Sequence, residues 1–312
     1  MRGRPYDLAM RPSRTTLTIL GSLLAVPLLL ATSCAPVEDE TTAEESSPTE
    51  AEPSTGVEES ASATMCAAGK TLTEGALTVG TDSPAYDPWF RKDDPTNGQG
   101  FESAVAYAVA EQLGFAADQV EWVTVPFNTS YKPGPKEFDF DINQISITPA
   151  RAEVVDFSDG YYQAAQAVIA LADSPAAGAT TVAELADLKL GAQTGTTSLT
   201  AIRDVIQPAE DPAVLEDTNI AKQQLLSGQV DAILADLPTA FYITAVEIPK
   251  ASIIGQFQPD TGEQEEFGML FEKGNPLVEC VNEALAAMEA DGSLDAIEQE
   301  WLSDTVGVPE LQ

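Results

Sequence analysis

The chain has 312 residues, and its 50 Asp and Glu against 15 Lys and Arg give a net charge of −35. This acidity excludes nucleic acid as a natural partner, because phosphate binding needs clustered Lys and Arg. It equally disfavours attraction to an anionic membrane surface. The sequence contains no His, which excludes Ser-His-Asp and Cys-His nucleophile systems and disfavours a zinc or haem site. We therefore expect no metal and no cofactor.

Residues 1–33 have the pattern of a secretory signal. Four arginines precede an apolar run over residues 19–31, which is short for a membrane-spanning helix. Translation from Met1 or from Met10 would supply a basic segment. Cys34 resembles the lipidated Cys of a bacterial lipobox, although Leu30 stands four residues before it and lipoboxes usually have Leu three before. We predict a lipoprotein signal peptide with lipidation at Cys34, and an ordinary cleaved signal is the alternative.

Residues 34–65 form a segment of distinct composition. It is rich in Glu, Ser, Thr, Pro and Ala, and it contains nine acidic residues and no basic one. Such a segment buries too little apolar surface to offset its chain entropy, so we expect it to be disordered and extended by self-repulsion. Behind a lipidated Cys it would be a tether. The protein would then be exported and held on the outer face of the cytoplasmic membrane by the lipid alone.

The remaining part of about 245 residues is long enough for two medium-sized lobes. Cys66 and Cys280 lie near its two ends. In an oxidising compartment an even pair of cysteines favours a disulfide. Two unpaired buried thiols remain the alternative.

Strands and helices alternate along this part of the chain. Strands are predicted over residues 76–80, 120–125, 139–147, 189–193 and 230–235. A helix is predicted over 101–113, where apolar residues recur every four positions, and a capping box of Thr181 and Glu184 predicts a short helix. Two further helices are predicted over 277–291 and 294–301. This alternation is typical of an α/β fold with mainly parallel sheets.

Several motifs follow one another in a recognisable order. The most informative are QISITPAR at residues 144–151 and VDFSDGYY at 155–162. The others are VGTD at 79–82, GFE at 100–102, QTGTT at 193–197 and GQVDA at 228–232. Together they resemble the type II periplasmic binding proteins for polar amino acids, bacterial solute-binding family 3, over roughly residues 72–305.

This resemblance implies a two-lobed periplasmic-binding-protein-like II fold, in which each lobe is a mainly parallel sheet flanked by helices. Residues 66–165 and 257–312 would form lobe 1 and residues 166–256 lobe 2, with hinge crossovers near 163–167 and 254–258. The implied function is a monomeric binding protein that closes its lobes around a free amino acid. It would deliver that amino acid to the permease subunits of an ABC importer.

The resemblance also implies a role for individual side chains. Arg151 would hold the ligand α-carboxylate by a two-pronged contact that Lys cannot mimic. Ser146 would add a hydroxyl, and Thr196 and Thr197 would hold the same carboxylate from the other lobe. Asp236 would pair with the α-ammonium. The residues placed around the ligand side chain are Tyr86 and Phe127 on its two faces and Asp82, Asn143, Gln144, Gln193 and Ser198 at its end. Asp82 and Asn143 slightly favour a polar or cationic amino acid.

Simpler interpretations of these residues stay open at this point. Arg151 could form a surface ion pair with Glu153 or Asp156. Asp236 could be the N-cap of a helix that begins near Pro238, and Tyr86 could be surface packing. The sequence also departs from the family in the segment KPGP at 132–135, which would interrupt a helix that relatives usually carry.

Two other functions are compatible with the same features. One is a dehydratase-like enzyme on this fold, with Glu102 or Asp236 as acid or base. The other is a signalling or adhesion lipoprotein that binds a protein partner.

Overall fold

The computed structural model describes residues 66–258, 264–302 and 308–312. The signal peptide, Cys34 and the acidic tether lie outside these residues, so their predictions stand as made. Within the described part, no helix has both the length and the apolar character needed to cross a membrane.

Lobe 1 is built on a five-stranded sheet of order β2-β1-β3-β10-β4. Its strands are β1 (Leu77–Thr81), β2 (Val120–Thr124), β3 (Phe140–Asp141), β4 (Asp156–Gln163) and β10 (Glu266–Phe271). Strand β1 pairs in parallel with β2 and β3, whereas β10 is antiparallel to both of its neighbours, β3 and β4. Four of the five strands therefore point the same way, as the sequence predicts, and one is reversed.

Helices pack on this sheet and form the hydrophobic core of lobe 1 together with it. They are α1 (Phe101–Gln112), α2 (Phe127–Ser130), α3 (Pro149–Ala152), α7 (Leu277–Asp291) and α8 (Ser293–Leu302). The predicted helix over 101–113 is confirmed: Phe101, Val105 and Val109 are buried on one face. Gly114, with φ of 87°, ends it in a conformation that side chains disfavour. Helix α2 has a single turn, in agreement with the predicted interruption at 132–135.

The predicted strand over 139–147 is wrong in its length. Only Phe140–Asp141 is a strand, because Gln144 has φ of 46° and left-handed backbone cannot continue an extended chain. Beyond this turn the chain lies beside β10, where Gly268 N–H donates to the Ile145 carbonyl at 3.1 Å. Ser146 then forms an isolated bridge with Phe267. The turn brings the 143–146 segment to the edge of the sheet that faces lobe 2.

Lobe 2 has a sheet of the same kind, with order β7-β6-β8-β5-β9. Its strands are β5 (Gln166–Leu171), β6 (Leu190–Gln193), β7 (Ala213–Leu215), β8 (Ala232–Asp236) and β9 (Ala251–Phe257), and its α-helices are α4 (Thr197–Ala201), α5 (Thr218–Leu226) and α6 (Leu237–Tyr242). Strand β5 is the reversed one, antiparallel to β8 and β9. The predicted capping box is confirmed, since Glu184 N–H donates to Thr181 Oγ1 at 3.3 Å.

The chain passes from the first sheet to the second through 164–165 and returns between Phe257, where β9 ends, and Glu266, where β10 begins. Strand β9 continues to Phe257. The second crossover therefore begins at residue 258, which is the last residue of the predicted range 254–258. The assignment of 257–312 to lobe 1 also needs correction at its end. Residues 308–312 pack on lobe 2: Gln256 N–H donates to the Pro309 carbonyl at 2.9 Å, and Leu311 is buried against that lobe's core.

Cys66 and Cys280 form a disulfide that joins the start of lobe 1 to α7. The sequence separation of 214 residues encloses almost the whole globular part. In the chain-entropy model, closing a loop of this length stabilises the folded state by about 5 kcal/mol. The alternative of two unpaired thiols is therefore wrong.

Candidate ligand-binding site

A cavity lies between the two lobes, at the carboxyl ends of β1, β6 and β8. Its walls are formed by Asp82, Tyr86, Phe127, Asn143 and Gln144 from lobe 1, and by Gln193, Thr196, Thr197, Ser198, Thr218, Leu234, Ala235, Asp236 and Thr239 from lobe 2. Ten of the twelve residues expected to bind the ligand line this cavity. The other two, Ser146 and Arg151, lie beside it at the junction of the lobes. No Lys or Arg belongs to the lining formed by the described residues.

Asp82 joins two segments of the lobe 1 wall. Its carboxylate accepts hydrogen bonds from Ser83 N–H at 2.7 Å and from Phe127 N–H at 3.1 Å. These bonds hold the loop after β1 against the first turn of α2. Burial raises the pKa of Asp82 above its usual value, and the backbone bonds oppose this. Beside it, burial raises the pKa of the Tyr86 hydroxyl above its usual value.

Gln144 is held by a buried carboxylate. Its backbone N–H donates to Glu102 Oε1 at 2.6 Å, and its side-chain amide donates to Glu102 Oε2. Tyr161 donates a third bond to Glu102 Oε1 at 2.5 Å. Glu102 is completely buried, and this burial raises its pKa to about 7. Glu102 thus fixes the left-handed turn that presents Gln144 to the cavity.

Two more polar groups lie unpaired below the cavity. Both carboxyl oxygens of Asp141 and the amide nitrogen of Asn143 have no hydrogen-bond partner within the described part of the chain. Asp141 is fully buried and Asn143 is 6 % exposed. Burial, and next the charge of Glu102, raise the pKa of Asp141 well above its usual value. The Asn143 amide, which lines the cavity, is a donor available to a ligand.

Arg151 connects the two lobes. It lies in α3 and is 8 % exposed, and its Nη1 donates to the Ser146 carbonyl at 2.7 Å. Its Nη2 donates to the Gly195 carbonyl of lobe 2 at 2.9 Å. The guanidinium also lies over the rings of Phe127 and Tyr131, at 5.5 and 4.9 Å. A surface ion pair is therefore the wrong interpretation, and Asp156 instead pairs with Lys273 at 2.7 Å.

The loop after β6 forms the opposite wall. Thr196 caps α4 by accepting a hydrogen bond from Leu199 N–H at 3.1 Å. Gly195 has φ of 76°, and a β-carbon there would collide with the side chains of Tyr131 and Asn128. Glycine is thus required for two reasons, its left-handed backbone and its close approach to lobe 1. Gln193 at the strand end accepts a bond from Thr218 at 3.0 Å.

Asp236 stands at the N-cap position of α6, but its side chain makes no capping hydrogen bond. The N-cap interpretation therefore does not explain its carboxylate. The carboxylate points to Gln166, whose Nε2 lies 3.3 Å from Asp236 Oδ1. Burial, and next the charge of Glu265, raise the pKa of Asp236 well above its usual value, and the charge of Arg151 opposes this.

Sequence reasoning missed two residues at the junction of the lobes, Gln166 and Glu265. Gln166 is fully buried at the start of β5. Its Nε2 donates to Glu265 Oε2 at 3.0 Å, and its Oε1 accepts from Ser198 Oγ at 2.6 Å. Glu265 Oε1 in turn accepts from Ser146 Oγ at 2.6 Å. A polar residue heading the apolar strand QAVIAL was a usable signal for Gln166, whereas nothing distinguishes Glu265 from its acidic neighbours.

A second contact between the lobes lies at the other end of the cavity. The indole N–H of Trp89, which is fully buried in the lobe 1 core, donates to Thr239 Oγ1 of α6 at 2.7 Å. The Tyr86 ring faces Lys222 of α5, with 5.6 Å from Nζ to the ring centre. Both ends of the cavity are thus bounded by residues from each lobe.

The sequence model of the bacterial extracellular solute-binding proteins, family 3, matches residues 77–304. The chain belongs to this family. The L-cystine-binding protein TcyJ of Escherichia coli (strain K12) is 28% identical over 241 residues, covering 76% of this chain and 86% of that protein. The arginine-binding extracellular protein ArtP of Bacillus subtilis (strain 168) is 28% identical over 235 residues, covering 73% and 86%.

A solved structure agrees with this family assignment. The structure described as an ancestral arginine-binding protein bound to glutamine superimposes with a TM-score of 0.62 at 31% identity, covering 74% of this chain and 99% of that one. The two-lobed α/β fold and the recognition of family 3 from the motifs are therefore confirmed. The chain is an extracellular-type solute-binding protein with its cavity between the lobes.

Proposed function

We propose that this family 3 protein captures a free amino acid between its lobes and delivers it to the permease subunits of an ABC importer. The observation that carries this proposal is the position of Arg151 and Asp236. One comes from lobe 1 and the other from lobe 2, and both meet at the junction where Gln166 and Ser146 also lie. A zwitterionic amino acid needs a cationic partner for its carboxylate and an anionic partner for its ammonium. Arg151 and Asp236 supply one of each. The relatives named for cystine and arginine support the same class of ligand.

Each charge of the zwitterion has an assigned partner in this proposal. Arg151 holds the α-carboxylate, assisted by Ser146 and by Thr196 and Thr197 of the opposite lobe. Asp236 holds the α-ammonium. Pairing is required because burying an unpaired carboxylate or ammonium costs several kcal/mol.

Lobe closure follows from this division of the contacts. A ligand that touches both lobes is bound better when they are together, so it shifts the population towards the closed arrangement. The permease would recognise that arrangement. We take residues 66–165 and the 257–302 part as lobe 1, residues 166–256 as lobe 2, and the monomer as the working form.

The lining of the cavity favours a polar or cationic side chain. Tyr86 and Phe127 supply aromatic surface, and Asn143, Gln144 and Gln193 supply amides. The charged groups in the lining are Asp82 and Asp236, and both are acidic. An amino acid with a cationic side chain would therefore find a counter-charge at Asp82, whereas a second carboxylate would not.

Catalysis is disfavoured by the geometry of Glu102. Its carboxylate is completely buried and accepts three hydrogen bonds, so it cannot exchange a proton directly with a molecule in the cavity. We propose a binding protein without enzymatic activity, anchored by a lipid on Cys34 and held off the membrane by residues 34–65.

A thermal-shift panel of the twenty L-amino acids, L-ornithine and L-cystine tests the proposal. At about 100 times its Kd a ligand adds about 2.7 kcal/mol, or roughly 5–10 °C for a protein of this size. We expect such a shift for polar or cationic members and none for the α-keto acids. A panel without any stabilising amino acid would contradict the proposal and favour a protein partner.

A further inference from the structure

Glu265 occupies an unusual position, on the second crossover and at the junction of both lobes. Its Oε1 accepts from Ser146 of lobe 1 at 2.6 Å, and its Oε2 accepts from Gln166 of lobe 2 at 3.0 Å. The carboxylate is thus oriented by one donor from each lobe. Its neighbour Glu266 is half-buried and lies against Gly160 of β4.

Two carboxylates converge on the same donor. The Nε2 atom of Gln166 lies 3.0 Å from Glu265 and 3.3 Å from Asp236. Like charges at such a separation repel each other. Neither carboxylate takes part in an ion pair within the described residues, because the terminal nitrogens of Arg151 bind backbone carbonyls.

A cation between the two carboxylates would relieve this repulsion. An ammonium group has three donors and no acceptor, so it can bind both carboxylates at once. The other polar atoms nearby are the hydroxyls of Ser146 and Thr197, which lie 3.3 Å apart across the junction. They can accept the third donor.

We propose that Glu265 binds the ligand α-ammonium together with Asp236. This inference rests on the proposed function. It makes Glu265 a ligand-binding residue supplied by the hinge itself, so the ammonium contacts the crossover as well as lobe 2. The site would therefore select α-amino acids. An acid that lacks the amine would leave the carboxylates of Glu265 and Asp236 facing each other without a cation between them.

The experiment compares two isosteric substitutions on neighbouring residues. E265Q removes the charge at the junction, and E266Q removes the same charge from a half-buried side chain that lies against Gly160. Every amino acid of the thermal-shift panel that stabilises the wild-type protein is titrated calorimetrically into both variants. A charge-assisted hydrogen bond contributes about 1.5–3 kcal/mol, so E265Q should weaken binding roughly ten- to hundredfold and E266Q less than about twofold.

Two further measurements separate ligand binding from folding. Without amino acid, the melting temperature of E265Q should equal or exceed that of the wild type, because a like-charge repulsion is lost. D236N and the double variant complete a cycle, and their effects on affinity should be non-additive if both carboxylates hold one ammonium. Unchanged affinity in E265Q would overturn the inference and leave the proposed function intact. Failure of every amino acid to bind the wild type would overturn both.

Discussion

Gln144 donates both its backbone N–H and its side-chain amide to the buried carboxylate of Glu102. The pair joins the first long helix of lobe 1 to the turn that lines the cavity. Since Gln144 has a positive φ, this turn depends on the carboxylate for its shape. Ligand affinity should therefore depend on a residue that the ligand does not touch.

The substitution Glu102→Gln tests this dependence. A single amide oxygen cannot accept from Tyr161 and twice from Gln144, so we expect the turn to shift and affinity for the best amino acid to fall about tenfold. Glu111→Gln, an exposed position on the same helix, is the control and should bind as the wild type does. Calorimetry measures both, and equal affinities would show that Glu102 does not position Gln144.

Glu102 also predicts the pH dependence of stability. Its pKa is raised by burial from 4.5 to about 7, so between these values the folded protein holds a proton that the unfolded chain has released. The stability due to this proton is complete below about pH 4.5 and is lost as pH rises through 7. The loss amounts to about 3 kcal/mol.

Urea unfolding at pH 4.5, 6 and 7.5 measures this loss. Asp141 and Asp236, whose pKa values are also raised, contribute in the same direction. The difference between the wild type and Glu102→Gln isolates one group, and the variant should lose less stability as pH rises. Parallel curves for the two proteins would refute the assignment.

Arg151→Ala should reduce amino acid affinity more than a hundredfold, because a buried carboxylate loses its charged partner. Arg151→Lys should not restore it, since an ammonium cannot replace two separate guanidinium contacts. Arg203→Ala removes the same charge from an exposed position of lobe 2 and serves as the control. Near-native affinity of Arg151→Ala in calorimetry would be incompatible with the carboxylate assignment.

Gly195→Ala tests the close approach of the lobes. The added methyl group meets Tyr131 and Asn128, and the positive φ adds a backbone cost of about 1 kcal/mol. We expect affinity to fall about tenfold or more. Gly178→Ala, with nothing within 4 Å, is the matched control on the same lobe. Small-angle scattering with amino acid should show a larger radius of gyration for Gly195→Ala alone.

Reduction of the Cys66–Cys280 disulfide should lower stability by up to about 5 kcal/mol and leave the cavity residues in place. Urea unfolding with and without dithiothreitol measures the change. The double variant Cys66→Ser, Cys280→Ser should match the reduced wild type and be insensitive to dithiothreitol. An identical midpoint for oxidised and reduced wild type would show that the bond does not stabilise the fold.

Local patterns predicted much of the fold. The spacing of Phe101, Val105 and Val109 was sufficient for α1, because helix burial repeats over a few residues. The strand over 139–147 failed because the turn at Gln144 depends on Glu102, 42 residues away. Apolar alternation cannot report such a contact.

Ten of the residues assigned to the ligand from the family resemblance line one cavity. Gln166 and Glu265 could not be paired from the sequence, because 99 positions separate them. They meet because both crossovers lie side by side, which is a property of the topology. The segment 308–312 was likewise assigned to the wrong lobe, since nothing in its composition shows which sheet it joins.

That last segment changes the mechanics of the molecule. Helix α8 packs in the core of lobe 1, whereas Gln312 and Leu311 are bonded to lobe 2 through Val182 and Gln256. The five residues between Leu302 and Val308 can span at most about 20 Å. Opening of the lobes beyond that reach would therefore have to break the hydrogen bonds that hold residues 308–312 against β9.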